Sequence, residues 1–257
     1  MRGHKVLVTG GGSGVGFELA RGFVERGSRV LVVGRDEEGL RRAAERLGGG
    51  VEVVRADLSV EADLRRLAEE VRERLGGLSV LVNNAAVQLN YDWAAAAEEE
   101  AAAEAAAIVA DVDFEVRTDL MAPMKLTALL LPLLREHPES AVVNLTTGLA
   151  LAPKKTAAVY CGAKAGLRVF GQALRYGMED ADTGVSVFEA VLPLVDTAMT
   201  KGRGNERLKM GPDRAAEEIL RGMEGDRREI RVGAVKALFW LHRLAPPLAR
   251  RLMRDGV

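Results

Sequence analysis

Tyr160 and Lys164 stand one helical turn apart in Ala157-Ala158-Val159-Tyr160-Cys161-Gly162-Ala163-Lys164-Ala165. Positions i and i+4 share one face of a helix. That spacing suits a proton transfer. A free phenol ionises near pH ~10 and is a poor base at neutral pH. An ammonium beside it favours the phenolate and lowers that pKa. Tyr160 can then exchange a proton with a carbonyl or hydroxyl oxygen. Cys161 points to another face of the helix and is read as packing.

Tyr-x-x-x-Lys alone arises by chance in many helices, so its surroundings matter. A strand, Ser140–Leu145, precedes it and runs into Thr146-Thr147-Gly148. Far upstream, the apolar run Val6-Leu7-Val8 leads into Thr9-Gly10-Gly11-Gly12-Ser13-Gly14-Val15-Gly16, and residues 17–24 then follow helical spacing. Strand, glycine turn and helix form the context in which such a loop binds a nucleotide. Glycine takes positive φ and leaves no Cβ in the way. A pyrophosphate can sit against free amides at the helix N-terminus, where the macrodipole favours an anion. Gly10, Gly12, Ser13, Gly14, Val15 and Gly16 are therefore read as the phosphate seat.

The first third alternates. Strands are expected at Lys5–Thr9, Arg29–Val33, Val51–Arg55 and Ser79–Asn83, with helices at about 15–26, 37–47 and 61–75. Short apolar strands between amphipathic helices imply a parallel sheet covered on both faces. Right-handed crossovers make it an α/β, doubly wound, Rossmann-type sheet of about seven strands. Residues 1–257 are read as one such domain with an amphipathic tail over 234–257.

Ligands of such sheets bind at the carboxyl ends of the strands. The second strand ends Gly34-Arg35-Asp36. Gly34 stands where an acid would hold the ribose 2′-hydroxyl of NAD, and the Arg35 guanidinium suits a 2′-phosphate. The reading is NADP preference; NAD, with Asp36 on the ribose, is the alternative. The third strand ends Asp57-Leu58, where Asp57 can accept from the adenine amino group or cap the helix near Ser59. The fourth ends Asn83-Asn84-Ala85-Ala86, whose small residues allow a cofactor close.

Beyond it, Gln88–Trp93 carries two aromatics and is a candidate wall of the substrate pocket. Ala94–Ala110 is Ala/Glu-rich and helix-prone, expected as a solvated helix or flap. A long helix follows at about 112–135, with Pro123 expected to kink it. Its Leu126, Leu129, Leu130, Leu133 and Leu134 read as core or subunit contact, and His137 as an exposed helix end. After Tyr160 come a helix to about Glu179, a strand Val185–Val191, the segment Pro193–Thr197 and a polar, glycine-rich stretch, Lys201–Arg207, read as a lid. A helix to about Met223 and a strand Glu229–Val232 precede the tail. That tail mixes apolar and basic residues. It is read as packing or oligomer contact in preference to a membrane contact.

The totals bound the rest. A net charge of −1 gives no reason to expect nucleic acid. One cysteine excludes an internal disulfide, and three scattered histidines suggest no metal site. A cytoplasmic protein is expected.

In order and spacing, the glycine turn, Asp57, Asn83–Ala86, Tyr160-x-x-x-Lys164 and Pro193-Leu194-Val195-Asp196-Thr197 resemble the short-chain dehydrogenase/reductase family along essentially the whole chain. Leu120–Pro123, Thr147–Ala150 and Asp196–Thr200 resemble one branch of it, oxidoreductases linked to D-alanylation of teichoic acids. The resemblance implies that Tyr160 is the general acid/base and that Lys164 holds the nicotinamide ribose. It implies that Pro193, Val195 and Thr197 cover the nicotinamide. It puts Thr147 in the place of a serine thirteen residues before Tyr160, and Asp119 in the place of an asparagine that supports a water-linked relay. Ala86 replaces a glycine. The expected activity is hydride transfer between NADP(H) and a small carbonyl or alcohol substrate, in a homo-oligomer (dimer or tetramer). The alternative is a nucleotide-binding sensor or scaffold with little turnover, because Asp119 and Thr147 depart from the family pattern.

Overall fold

The computed structural model describes residues 3–48, 50–97 and 102–256. Strand β1 (Lys5–Thr9) leads through the glycine turn to helix α1 (Gly14–Glu25), and β2 (Arg29–Gly34) to α2 (Glu37–Leu47). Then come β3 (Val51–Arg55), α3 (Glu61–Leu75) and β4 (Val80–Asn83). Helices α4 (Ala102–Val116) and α5 (Ala122–Arg135) flank a π-helical turn, Arg117–Met121. Strand β5 (Ser140–Thr147), α6 (Ala158–Asp180), β6 (Val185–Leu192), α7 (Pro212–Glu224), β7 (Glu229–Arg231), α8 (Val235–Leu244) and α9 (Pro246–Met253) complete the chain.

All seven strands pair in parallel, in the order β3-β2-β1-β4-β5-β6-β7. The order reverses between β1 and β4, so the flanking crossovers leave in opposite directions and open a crevice at the strand ends. The strands alternate their side chains between two apolar layers. Val6, Val8, Val30 and Val32 face Phe23, Leu19, Ile219 and Leu220 on one side. Leu7, Leu31 and Leu81 face Leu64, Leu67, Leu126 and Leu130 on the other. Each fully buried leucine contributes about 1.5–3 kcal/mol relative to exposure. The leucines of α5 are therefore core, one of the two roles open to them from the sequence.

Two expectations need adjustment. Strand β5 runs two residues further than its apolar run, because Thr146 and Thr147 pair with Val191 and Leu192. Near Pro123 the helix shows a widened turn. Proline lacks an N–H and crowds the turn before it. Here Ala122 N–H donates to Arg117 O, five residues back, and Pro123 lies in the first turn of α5. The Ala/Glu-rich run forms a short turn at Ala95–Ala97 and the exposed face of α4. Its residues 98–101 lie outside the described residues.

At the reversal, β1 and β4 are stapled by side chains. Thr9 Oγ1 donates to Val82 O (3.1 Å) and accepts from the N–H groups of Asn84 (2.9 Å) and Ala85 (3.0 Å). Asn84 Nδ2 donates to Thr9 O at 2.7 Å and to Gly10 O at 3.2 Å. Gly10 sits there at φ +65°. A Cβ on Gly16 would overlap Gly10 O and Asn84 Nδ2. Gly16→Ala is expected to lower stability by about 1–3 kcal/mol through overpacking, read from denaturant unfolding. Gly177→Ala, within α6 and with nothing within 4 Å of a Cβ, serves as the control for a helix methyl added without overlap.

Candidate active site

The crevice is a cleft of about 300 Å³. Its floor at one end is the glycine turn. Gly14 has φ +54°, and the first N–H groups of α1 have no partner within the helix. Gly10, Ser13, Gly14 and Val15 line the cleft, whereas Gly12 and Gly16 stand behind it against Leu40 and Gly10. Gly34, Arg35, Asp57 and Leu58 line the next stretch, and Asn84, Ala85 and Ala86 the wall between. Thr147, Tyr160, Lys164, Pro193, Val195 and Thr197 line the far end.

The two acids left open by the sequence are now placed. Asp57 Oδ1 accepts from Ser59 N–H at 2.9 Å and from its hydroxyl at 2.7 Å. It makes a local turn and does not cap α3, whose N-cap is Val60. Asp36 Oδ1 accepts from Gly39 N–H at 3.0 Å and caps α2. It does not line the cleft. Arg35 does, with its guanidinium 5.2 Å from the Phe114 ring centroid.

At the far end three elements converge. α6 brings Tyr160 and Lys164, β5 brings Thr147, and the π turn brings Asp119. Lys164 is buried, its Nζ 3.3 Å from Leu145 O, 3.8 Å from Asp119 Oδ2 and 5.9 Å from the Tyr160 ring centroid. Asp119 is wholly buried behind it. Its Oδ1 accepts from Val87 N–H at 2.8 Å, and its Oδ2 has no hydrogen-bond partner among the described residues. Burial pushes the Asp119 carboxyl up to about 7, against the pull of Lys164 and the Val87 N–H. Burial pushes the Lys164 ammonium down, with Asp119 pulling the other way.

The phenol departs from the sequence expectation. Burial first, and the Asp119 charge second, push Tyr160 above the ordinary phenol range. Loss of water around the ring and the carboxylate opposite it both favour the neutral phenol. The cleft as it stands thus disfavours the phenolate of Tyr160. Thr147 Oγ1 accepts from Leu149 N–H at 3.3 Å, which caps the turn after β5.

Sequence reasoning missed Glu115, one α turn before Asp119 and also wholly buried. Its carboxylate accepts from Leu89 N–H (3.0 Å) and from the Tyr91 hydroxyl (2.8 Å). With Asp119 on Val87, two acids hold the 87–91 loop from beneath. The i, i+4 spacing of these acids was the available signal. Tyr91 and Trp93, expected to wall the pocket, pair with each other at 5.6 Å and do not line the cleft. Val87 does. Thr146 was also missed. It lines the cleft and donates to buried Glu189 at 2.6 Å, which Arg168 holds with two bonds of 3.0 and 2.9 Å.

A doubly wound sheet with a glycine cradle at its switch point and a Tyr–Lys pair at the far end of the cleft defines an oxidoreductase of the dinucleotide-binding class. The short chain dehydrogenase family matches residues 4–208. The chain is 33% identical to the uncharacterized oxidoreductase DltE of Bacillus subtilis (strain 168), over 93% of this chain and 91% of DltE. It is 31% identical to the ketoacyl reductase HetN of Nostoc sp., over 73% of this chain and 62% of HetN. Among solved structures, a short chain dehydrogenase/reductase of Burkholderia phymatum in complex with NAD superposes with a TM-score of 0.82 at 20% identity, covering 97% and 96% of the two chains. One of Burkholderia cenocepacia in complex with NADP gives 0.81 at 22%, covering 98% of each. The chain belongs to the short-chain dehydrogenase family and is an NAD(P)-dependent oxidoreductase.

The raised Asp119 carboxyl has a sign. A folded pKa above the unfolded value of about 3.9 stabilises the fold at low pH, and that stability is lost as pH rises through about 7. Asp119→Asn removes this loss. The stability of the variant minus that of the parent is expected to grow between about pH 4 and 7 and to level off above, as read by denaturant unfolding across that range.

Proposed function

We propose that this chain is an NADP(H)-preferring carbonyl reductase or alcohol dehydrogenase in which Tyr160 is the general acid/base. The observation that carries the reading is Tyr160 at the cleft's far end, backed by a buried Lys164. The cradle fits a dinucleotide, because Gly10 and Gly14, both at positive φ, line it without a Cβ. Gly10, Ser13, Gly14 and Val15 would hold the pyrophosphate, and Asp57 and Leu58 the adenine side. Ala85 and Ala86, with Pro193, Val195 and Thr197, would flank the nicotinamide. When bound, the nicotinamide supplies or accepts the hydride.

The phenol, kept protonated, donates to the oxygen of a carbonyl substrate. In the reverse direction it must first give up its proton. Lys164 then offsets the phenolate charge, at the cost of weakening its pairing with Asp119. Thr147 orients the substrate oxygen with a hydroxyl whose rotation the methyl group narrows. The 201–207 segment acts as lid, with Arg203 Nη1 on Gln88 O at 3.1 Å. NADP preference rests on Arg35 lining the cleft while Asp36 is engaged as a cap. With this reading go a cytoplasmic location, a single domain and a homo-oligomer. Val109, Val169 and Tyr176 supply exposed apolar surface for the last of these.

The test is NADPH oxidation against a panel of carbonyl compounds. Tyr160→Phe is expected to lower kcat by about 10²–10⁴-fold with dinucleotide affinity kept. Binding without turnover that depends on Tyr160 would leave the sensor reading instead. Arg35→Ala is expected to weaken NADPH roughly tenfold, losing one charge-assisted contact, while NADH is unchanged in fluorescence titration. Equal losses for both would reject the 2′-phosphate role.

A further inference from the structure

The last two helices leave an unusual surface. Trp240, Leu244, Leu248 and Leu252 recur at every fourth position and are 61%, 77%, 55% and 53% exposed. The core does not take them. α8 is moored by Val235 and Leu238, which lie where a Cβ on Gly148 would be. α9 is moored by Ala249, by Arg254 O accepting from Lys155 N–H at 2.9 Å, and by Asp255 on Lys155 at 2.6 Å. The opposite side faces out.

Charge says what covers it. Residues 234–257 carry five basic side chains and one acid, Asp255, in a chain whose total is −1. Lys155 engages that acid, and Lys236 pairs with Glu218 at 2.9 Å. Arg243, Arg250, Arg251 and Arg254 are exposed and, among the described residues, have no carboxylate at ion-pair distance. A second copy meeting this face about a two-fold axis would set these arginines against their own kind. An anionic bilayer takes both features at once. The leucines and Trp240 enter the acyl boundary, while the guanidiniums stay at the headgroups. No helix among the described residues is long and apolar enough to cross a membrane, so the contact is in the plane of the surface.

We propose that α8 and α9 dock the protein peripherally on an anionic lipid surface. The acidic balance of the remaining chain turns the rest of the molecule away from it. The tail is fastened to Gly148, next to Thr147, and to Lys155, five residues before Tyr160, so docking sets the substrate end of the cleft near lipid.

The experiment is co-sedimentation of the full chain with vesicles of phosphatidylglycerol and phosphatidylcholine, against phosphatidylcholine alone. Binding is expected with the anionic vesicles and to be at least ~10-fold weaker without them or in ~0.5 M salt. A combined Trp240→Gln, Leu244→Gln, Leu248→Gln and Leu252→Gln variant, and an Arg250→Gln, Arg251→Gln and Arg254→Gln variant, are each expected to lose binding. Unchanged dinucleotide affinity shows that both are folded. In a Trp93→Phe background, Trp240 emission should shift to shorter wavelength on the anionic vesicles. The proposal is overturned if the parent stays in the supernatant, if the apolar variant still sediments, or if that variant only splits an oligomer. None of these readouts depends on the reductase reading.

Discussion

A buried ammonium has to be given neighbours, and much of the site is the set of neighbours given to Lys164. Its side chain is 3% exposed. Removing such a charge from water costs several kcal/mol unless it is paired and hydrogen-bonded. Leu145 O at the end of β5, Asp119 on the π turn and the Tyr160 ring meet that need from three directions. Tyr160 comes with the helix itself, but Leu145 O and Asp119 are near Lys164 only once α6 has settled on β5 and on the π turn. The same closeness sets the protonation pattern. One carboxylate favours the protonated form of both partners, so Asp119 pulls the Lys164 ammonium and the Tyr160 phenol upward together.

Much of this was legible in the sequence because parallel strands covered on both faces must be short apolar runs. Val6–Val8 and Val80–Val82 announce themselves in this way. The Tyr160–Lys164 pair was legible because helical spacing alone puts both on one face. What was not legible depended on partners distant in sequence. Asp36 and Asp57 could each have met a ligand, and only the structure shows their oxygens engaged by Gly39 and Ser59. Thr146 and Thr147 looked like a loop, since their strand pairing is supplied by β6. Glu115 lay in the long helix expected at about 112–135, with only its spacing from Asp119 to mark it. Its burial arises because the 87–91 loop folds back over it.

The direction of the Tyr160 shift is the instructive error. An i, i+4 rule counts what the same helix contributes. It cannot count the loss of water around a ring, nor a carboxylate arriving from another helix. Both push the Tyr160 phenol upward in this cleft. An asparagine at position 119, as the family resemblance implies, would be neutral and would leave the Tyr160 phenolate less disfavoured.

The π turn has a consequence for how this chain tolerates change in length. An α-helix advances by about 100° per residue, and the five residues from Arg117 to Met121 carry the extra step that keeps the helices on either side in their present rotational phase. Excising one of them would allow ordinary winding, but α4 would swivel by about a quarter of a revolution. The face now turned inward at Glu115 would swing outward, and the segment after β4 would lose the carboxylate beneath it. Changes in length are therefore expected to cost more at this bend than along the exposed residues 102–107 at the start of α4.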